Sequence, residues 1–243
     1  MDFALSGMWS RLFDRIYCIH YVEYKERRPT IERELRRIGI LDSGVFKWRY
    51  TYKNEFERGL ARRLGVNPQA LIGPLFIETK RIIAESLYRK YERILVIQDD
   101  AVFLRDVEAV KRIVGMMPLE ANVVQFDKRT DGRMDRVAKW KELIKTARVN
   151  EEYVWADGNI FWGGACYALK REGMGILDEV MTKDLINEDN CFAQVPRYAI
   201  AIRNLCLQGE FLKSERVAQG VSPDVDKREF DVLGLKREDY AEV

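Results

Sequence analysis

Histidine is nearly absent from this chain: His20 is the single histidine among 243 residues. This excludes a zinc site built on several imidazoles, and it excludes a Ser-His-Asp triad that does not use His20. Cysteine is also scarce, and the four cysteines are widely spread without a CxxC pair. Buried free thiols in a reducing compartment are therefore favoured over a disulfide or metal framework. The four are Cys18, Cys166, Cys191 and Cys206.

Long hydrophobic runs are missing as well, since no apolar stretch approaches the ~20 residues that a membrane helix needs. The N-terminal residues, MDFALSGMWSRLF, combine a short apolar stretch with an acidic second residue, which argues against a signal peptide. We expect a soluble, cytoplasmic protein in which residues 1–14 pack on the domain. Contact of this segment with a membrane surface, as in a peripheral protein, is the alternative.

Neither sign of charge dominates. The formal net charge is +2, so the chain lacks the overall basic field that is typical of nucleic-acid-binding proteins. Arginine and lysine cluster in YKERRPTIERELRR, but glutamates interleave with them, a pattern typical of a solvated helix face. Hydrophobic residues make up 47% of the chain and charged residues 33%, the values of an ordinary globular protein. We therefore expect a folded domain with no nucleic-acid partner.

Short apolar runs of strand type alternate with helical patterns along the chain. This order predicts βαβ units, and hence an α/β domain whose mostly parallel central sheet is covered by helices on both faces. We place the domain at residues 15–207 and expect the charged, weakly periodic residues 208–243 to form loops and a tail wrapped on it. Strands are predicted at 15–21, 45–50, 93–98, 122–127, 163–169 and 197–203, with helices between them.

The stretch RILVIQDDAVF ends a run of branched apolar residues in two adjacent carboxylates, Asp99 and Asp100. In open α/β sheets, ligands bind outside the carboxyl ends of the strands, where both residues fall. Neighbouring carboxylates stay ionised only beside a cation or strong hydrogen-bond donors. Because oxygen ligands suit a hard ion, the pair predicts an Mg²⁺ or Mn²⁺ site that nucleotide phosphates complete. The alternative is that Asp99 caps a turn or helix while Asp100 is solvated.

Three sequence blocks together resemble the family 25 glycosyltransferases, which include lipooligosaccharide and collagen galactosyltransferases. RIYCIHYVEYKERRPTIERELRRIGI is similar to the family's opening strand, Arg-rich loop and helix ending in Gly-Ile. YERILVIQDDAVF is similar to its strand ending in Glu-Asp-Asp, and GGACYALKREGMGILDE to a small-residue strand that enters a helix. The resemblance implies a GT-A-like (Rossmann-like) fold, a nucleotide-sugar donor that is commonly UDP-galactose, a divalent metal and inversion at the anomeric carbon.

The resemblance also implies roles for individual residues. Two departures accompany it: Gln98 replaces the glutamate of the acidic motif, and Thr79 and Lys80 stand where the family often has Ser-His. These departures put the donor in doubt and open the alternative of a weak or lost activity. The residues at the positions of the family's motifs are Asp99 and Asp100 for metal and nucleotide, His20 and Tyr21 where the family usually has Asn and Leu, Arg27 or Arg28 near the nucleotide, Gly163, Gly164 and Tyr167 in the small-residue strand, and Asp189 after the helix.

An inverting transfer needs a group that neutralises the leaving diphosphate and a base that deprotonates the acceptor hydroxyl. We assign the base to Asp189, with Glu188 or Asp184 as substitutes, although this acidic cluster can equally be a solvated loop or a favourably charged helix start. Arg27 and Arg28 suit bidentate phosphate binding, or they are surface residues of a helix start.

The stretch VWADGNIFWGG has the composition of a sugar-binding segment. Aromatic faces pack on the C–H faces of a pyranose, short polar side chains bind its hydroxyls, and glycines let the backbone approach the ligand. The alternative is that the aromatics belong to the core. The residues proposed to bind the sugar are Trp155, Asp157, Asn159, Trp162, Gly163 and Gly164, with Phe161 beside them.

The main hypothesis from the sequence is a metal-dependent inverting glycosyltransferase with a glycan, glycolipid or protein acceptor. A first alternative is a catalytically weak or inactive nucleotide-sugar-binding relative. A second is a non-enzymatic polyanion-binding domain that uses KERR and RRLGVN, for which binding would depend strongly on salt.

Overall fold

The computed structural model of the chain describes residues 3–52, 74–128, 134–156, 164–183, 191–208 and 236–240. Within these residues helices and strands mostly alternate, as the sequence predicts. The helices are α1 (Phe3–Leu12), α2 (Arg27–Arg37), α3 (Pro74–Tyr88), α4 (Val107–Gly115), α5 (Met134–Thr146) and α6 (Arg171–Lys183), and Arg237–Asp239 forms one turn of 3₁₀ helix. The strands are β1 (Arg15–Tyr21), β2 (Phe46–Thr51), β3 (Arg93–Gln98), β4 (Ala101–Phe103), β5 (Val123–Gln125), β6 (Tyr153–Ala156), β7 (Cys166–Lys170), β8 (Tyr198–Ala201) and β9 (Cys206–Gln208).

Seven of the described strands form one sheet in the order β2-β1-β3-β7-β5-β8-β6, and β4 and β9 form a second, two-stranded sheet. In the large sheet β1 pairs in parallel with β2 and β3, and β5 with β8. Strand β7 pairs antiparallel with β3 and β5, and β6 antiparallel with β8. Five strands therefore run one way and two the other, so the predicted α/β class with a mostly parallel central sheet is confirmed.

Three short strands are not predicted by the sequence pattern: β4, β6 and β9. Each has only three or four residues, too few for the alternation of apolar and polar residues to stand out. The predicted strand at 163–169 is present as β7, but it enters the sheet antiparallel. The sheet is therefore less uniformly parallel than βαβ units alone imply.

Strand β3 lies inside the sheet between β1 and β7. Its residues after Arg93 are all buried, from Ile94 to Gln98. A strand covered on both faces loses the alternation of polar and apolar residues, which explains the continuous run ILVI. Burial of these branched side chains supplies the hydrophobic free energy that holds the carboxyl end of β3 in place.

Helix α1 packs against the region where α2 ends. The indole nitrogen of Trp9 donates a hydrogen bond of 2.7 Å to the carbonyl of Ile38, and both residues are buried. Gly39 follows with a φ of 73°, the left-handed conformation that commonly terminates a helix. The division of the chain at residues 14 and 207 stays a prediction.

The tail predicted at 208–243 lies largely outside the described residues, but its residues 236–240 contact the domain. The hydroxyl of buried Tyr240 donates to the carbonyl of Asn204 over 2.8 Å. The amide of Arg105 donates to the carbonyl of Asp239, again over 2.8 Å.

None of the described helices is long and apolar enough to cross a membrane. All four cysteines are buried, and none of them forms a disulfide among the described residues.

Candidate functional site

The acidic pair lies in the turn between β3 and β4, at the carboxyl end of the buried strand β3. Gln98 is the last residue of β3, and Ala101 begins β4. Because β1 runs parallel to β3, its last residues, His20 and Tyr21, reach the same edge of the sheet. The predicted placement of Asp99 and Asp100 beside the end of the first strand is therefore observed.

Asp99 is almost completely buried, and protein donors contact both of its carboxylate oxygens. Its Oδ2 lies 2.7 Å from Nδ1 of His20 and accepts a 3.0 Å hydrogen bond from the amide of Tyr21. Its Oδ1 accepts from Nη1 of Arg27 over 3.2 Å. These donors compensate the desolvation of a buried carboxylate and fasten the ends of β1 and β3 to the start of α2.

Asp100 has a different environment from its neighbour. Its Oδ2 lies 3.8 Å from Nη1 of Arg27, and 11% of its side chain is exposed compared with 1% for Asp99. Arg27 thus stands between the two carboxylates and offsets their mutual repulsion. Asp100 is therefore the more accessible of the two carboxylates.

The two arginines at the start of α2 each lie over an aromatic ring. The guanidinium carbon of Arg27 is 4.2 Å from the ring centre of Tyr24, and that of Arg28 is 3.5 Å from the ring centre of Trp48. Arg28 also donates to the hydroxyl of Tyr50 over 2.8 Å and forms a short ion pair with Glu32. Partial burial acts to lower the pKa of Arg28, but the hydrogen bonds to Tyr50 and Glu32 outweigh it, and the pKa is raised. Such contacts hold the cationic side chains in defined positions.

The second half of α2 forms hydrogen bonds with the segment that follows the acidic pair. Glu34 accepts from the amide of Phe103 over 3.1 Å and pairs with Arg37 over 2.6 Å. Arg37 in turn donates to the carbonyls of Phe103 and Leu104, over 3.1 and 2.9 Å. Helix α2 therefore contacts the acidic turn through Arg27 and the segment after it through Glu34 and Arg37.

A third strand end reaches the same edge of the sheet. Asp127 follows β5, and its two oxygens accept from the amides of Ala165 and Cys166 over 3.3 and 3.2 Å. The carbonyl of Ala165 accepts from the amide of Gln98 over 2.8 Å. These bonds bring the start of β7, including Gly164, alongside the acidic turn. A Cβ atom on Gly164 would lie 3.1 Å from Nε2 of Gln98, so a glycine suits this close approach.

The carboxylates provide the hard oxygen ligands that Mg²⁺ and Mn²⁺ prefer, and Asp100 suits this role better than Asp99. Asp99 is almost completely buried and already contacts donors from His20, Tyr21 and Arg27, so it has less capacity left for an ion. No group of three acidic, histidine or cysteine side chains that could hold a metal occurs among the described residues. An ion at Asp100 would therefore take further oxygen ligands from elsewhere, and the phosphates of a nucleotide are suitable ones.

The structure does not bring all the sequence-predicted residues to this cluster. Trp155 lies in β6, four strands away from β3, which corresponds to about 19 Å at the usual strand spacing. Thr79 contacts the hydroxyl of Tyr167 over 3.1 Å in the core, and Lys80 donates to Thr182 on α6. The sugar-binding role of Trp155 stays a prediction. Asp157, Asn159, Phe161, Trp162, Gly163, Asp184, Glu188 and Asp189 lie outside the described residues, so their roles stay predictions too.

Sequence reasoning missed several residues that the fold brings to the cluster. Trp48 and Tyr50 occur in VFKWRY, whose alternation indicates a half-exposed strand but does not connect its aromatic side chains with Arg28. The charge pattern of α2 places Glu34 and Arg37 on a solvated helix face. Their contacts depend on β4, which the sequence does not reveal.

Comparisons with known proteins add little to this geometry. No known protein family and no curated protein matches the chain. Among solved structures, mannose-1-phosphate geranyltransferase from Thermus thermophilus is similar, with 15% identity and a TM-score of 0.49 over 84% of this chain and 78% of that chain. Mouse xyloside xylosyltransferase 1, in its apo form, aligns over 91% of this chain and 76% of its own, with 9% identity and a TM-score of 0.30. At these scores neither similarity is a basis for assigning a reaction.

Proposed function

We propose that the chain is a metal-dependent inverting glycosyltransferase. It would transfer a hexose such as galactose from a UDP-linked sugar to a hydroxyl of a glycan, glycolipid or protein. The observation that carries the proposal is the contact of Asp99 with His20 and Arg27 at the carboxyl edge of the central sheet. Groups from three separate segments converge there on one charged cluster, in the position where α/β folds bind nucleotides.

The residues have distinct proposed roles. Asp99 acts as a positioning residue that orients His20 and Arg27, and Asp100 acts as the ligand of Mg²⁺ or Mn²⁺. When bound, such an ion supplies Lewis acidity that stabilises charge on a leaving diphosphate. Arg27 adds positive charge for the same diphosphate, with a planar guanidinium group that suits bidentate binding of phosphate. Arg28 adds positive charge beside it while donating to Tyr50 and Glu32.

In the proposed reaction the acceptor oxygen forms a bond to the anomeric carbon while the bond from that carbon to the diphosphate oxygen breaks. The proton of the acceptor hydroxyl goes to a carboxylate base, which we assign to Asp189 or Glu188. The nucleoside diphosphate leaves with the electron pair of the broken bond. Attack from the face opposite to the leaving group inverts the anomeric configuration.

A binding protein with weak or no transferase activity is the second candidate. Gln98 favours it, because a neutral amide stands where the family has a third acidic side chain. Both oxygens of Asp99 also accept hydrogen bonds from the protein, which leaves Asp100 to carry most of the metal binding. Release of free sugar from UDP-galactose, measured without an acceptor, separates the two candidates, since a binding protein leaves the donor intact.

The experiment that tests the proposal is a thermal-shift titration with UDP, GDP and CMP, each with and without Mn²⁺. Saturation at ~100 times the dissociation constant adds about 2.7 kcal/mol to the free energy of unfolding, which gives a measurable rise in Tm. We expect one nucleotide to stabilise the wild type in the presence of Mn²⁺, and Asp100→Asn to lose this effect. Glu108→Gln removes an exposed carboxylate on α4 and serves as the control.

The outcomes of this titration are distinct. Stabilisation by one nucleotide that needs Mn²⁺ and Asp100 supports the proposal and identifies the nucleotide of the donor. Equal stabilisation with and without Mn²⁺ rejects the metal dependence but still supports nucleotide binding. No response to any nucleotide rejects the proposed function, and polyanion binding at low and high salt would then be tested.

A further inference from the structure

Strand β2 carries a row of aromatic side chains along the edge of the central sheet. Phe46 and Trp48 are half-buried, and their rings meet edge to face with centres 5.0 Å apart. Tyr50 is 51% exposed, and Tyr52, directly after the strand, is 54% exposed. The row therefore becomes more exposed toward the carboxyl end of β2, which is the edge of the sheet where the charged cluster lies.

The ring of Tyr50 is held in place by its neighbours although half of the residue is exposed. Its hydroxyl accepts from Arg28, whose guanidinium carbon lies over the ring of Trp48. The imidazole of His20 packs edge-on against both rings, with centre-to-centre distances of 6.1 Å to Tyr50 and 6.3 Å to Trp48. An exposed aromatic ring with a fixed orientation is well suited to stacking, because little side-chain entropy is lost when a ligand binds.

The position of Tyr50 relates this ring to the acidic cluster. His20 contacts Asp99 through Nδ1 and Tyr50 through its ring, so a single side chain separates the aromatic surface from the acidic pair. Arg28 adds a positive charge on the same side. A ligand that extends across this edge would therefore meet a planar aromatic surface at one end, and cations together with Asp100 at the other.

We infer that Tyr50 stacks on the base of a nucleotide whose diphosphate lies toward Arg27 and Asp100. The inference rests on the proposed function and adds the residue that recognises the base. A nucleobase fits because its planar face matches an exposed tyrosine ring, and stacking on aromatic side chains accepts any base. Trp48 and Arg28 act as positioning residues that orient the Tyr50 ring.

The test compares the dissociation constants of UDP and inorganic pyrophosphate, both with Mn²⁺, by isothermal titration calorimetry. Loss of base stacking weakens binding by about 5- to 150-fold. We expect Tyr50→Ala to weaken UDP by a factor in this range and to leave pyrophosphate within about twofold. Tyr50→Phe keeps the ring and should retain most of the UDP affinity. Tyr88→Ala removes a tyrosine that is 84% exposed at the end of α3 and serves as the control.

Each result decides between the alternatives. Equal weakening of UDP and pyrophosphate in Tyr50→Ala overturns the inference, because Tyr50 would then act on the phosphates through Arg28. Unchanged UDP affinity in Tyr50→Ala also overturns the inference. The proposed function still stands in that case, because the wild type binds the nucleotide. If the wild type binds pyrophosphate but not UDP, or binds neither, the proposed function fails and the inference fails with it.

Discussion

The Nδ1 atom of His20 lies 2.7 Å from Oδ2 of Asp99, although 79 positions separate the two residues in the chain. The contact joins the ends of two neighbouring parallel strands, β1 and β3, and both side chains are buried. Arg27 donates to the other oxygen of Asp99. The buried carboxylate is therefore a structural junction as well as part of the candidate site.

The first prediction concerns this junction. Asp99→Asn should lower the free energy of unfolding by about 3 kcal/mol, because breaking a buried ion pair leaves the remaining charged partner without compensation. Asp100→Asn should change it by less than about 1 kcal/mol, because its contact with Arg27 is longer and more exposed. Urea denaturation at pH 7 measures both variants. Equal losses in the two would show that the acidic pair is stabilised as one unit.

The second prediction concerns two glycines in α6. A Cβ on Gly173 would lie 2.3 Å from the carbonyl oxygen of Asn122, whereas a Cβ on Gly175 would meet nothing within 4 Å. Gly173→Ala should therefore destabilise the protein by about 1–3 kcal/mol through overpacking. Gly175→Ala should stabilise it by about 0.5–1 kcal/mol, because alanine loses less backbone entropy in a helix. A thermal unfolding series tests the pair, and a stable Gly173→Ala variant would contradict the close helix–strand contact.

The sequence is sufficient to predict β3 and the position of the acidic pair, because a buried strand ending in two carboxylates is a local pattern. It also places His20 at the same edge, since parallel strands end together. The antiparallel entry of β7 is not predictable in this way. Strand direction depends on how the preceding connection runs, and a short strand such as Cys166–Lys170, apolar except for its final lysine, does not reveal its direction.

The sequence also does not predict which groups the individual charged side chains contact. From the sequence, Arg28 either binds phosphate or is a surface residue at a helix start. Its contacts with Trp48 and Tyr50 arise only because α2 packs beside β2, which is a tertiary effect. Likewise the contacts of Arg37 exist because β4, a strand of three residues, turns back along α2.

The third prediction concerns Lys128, whose side chain is fully buried. Burial lowers the pKa of its ammonium group to about 7, and the charge of Asp127 acts in the opposite direction. In the unfolded chain the pKa is about 10.4, so between pH 7 and 10 the unfolded state binds more protons than the folded state. The free energy of unfolding should therefore rise with pH across this window, by up to about 1.4 kcal/mol per pH unit.

The measurement is a series of urea denaturations from pH 7 to 9 on the wild type and on Lys128→Met, which cannot titrate. We expect a steeper rise with pH in the wild type than in the variant. The ammonium donates to the carbonyls of Ala201 and Ile202 and to the side chain of Asn204, over 3.0, 2.7 and 2.7 Å. If the two slopes are equal, these three acceptors keep Lys128 protonated up to pH 9.

The fourth prediction concerns Arg37, which links α2 to the segment after the acidic pair. Arg37→Met removes its hydrogen bonds to the carbonyls of Phe103 and Leu104, so amide exchange at 103–105 should become about 10-fold faster or more, given about 1.5–3 kcal/mol for hydrogen bonds of a charged group. Hydrogen exchange with mass spectrometry measures this segment directly. Arg112→Met is the control, because it removes an ion pair with Glu152 away from the acidic turn. Faster exchange across the whole chain, in proportion to a lower global stability, would contradict a local role for Arg37. A change confined to 103–105 would establish α2 as the element that holds the acidic segment in position.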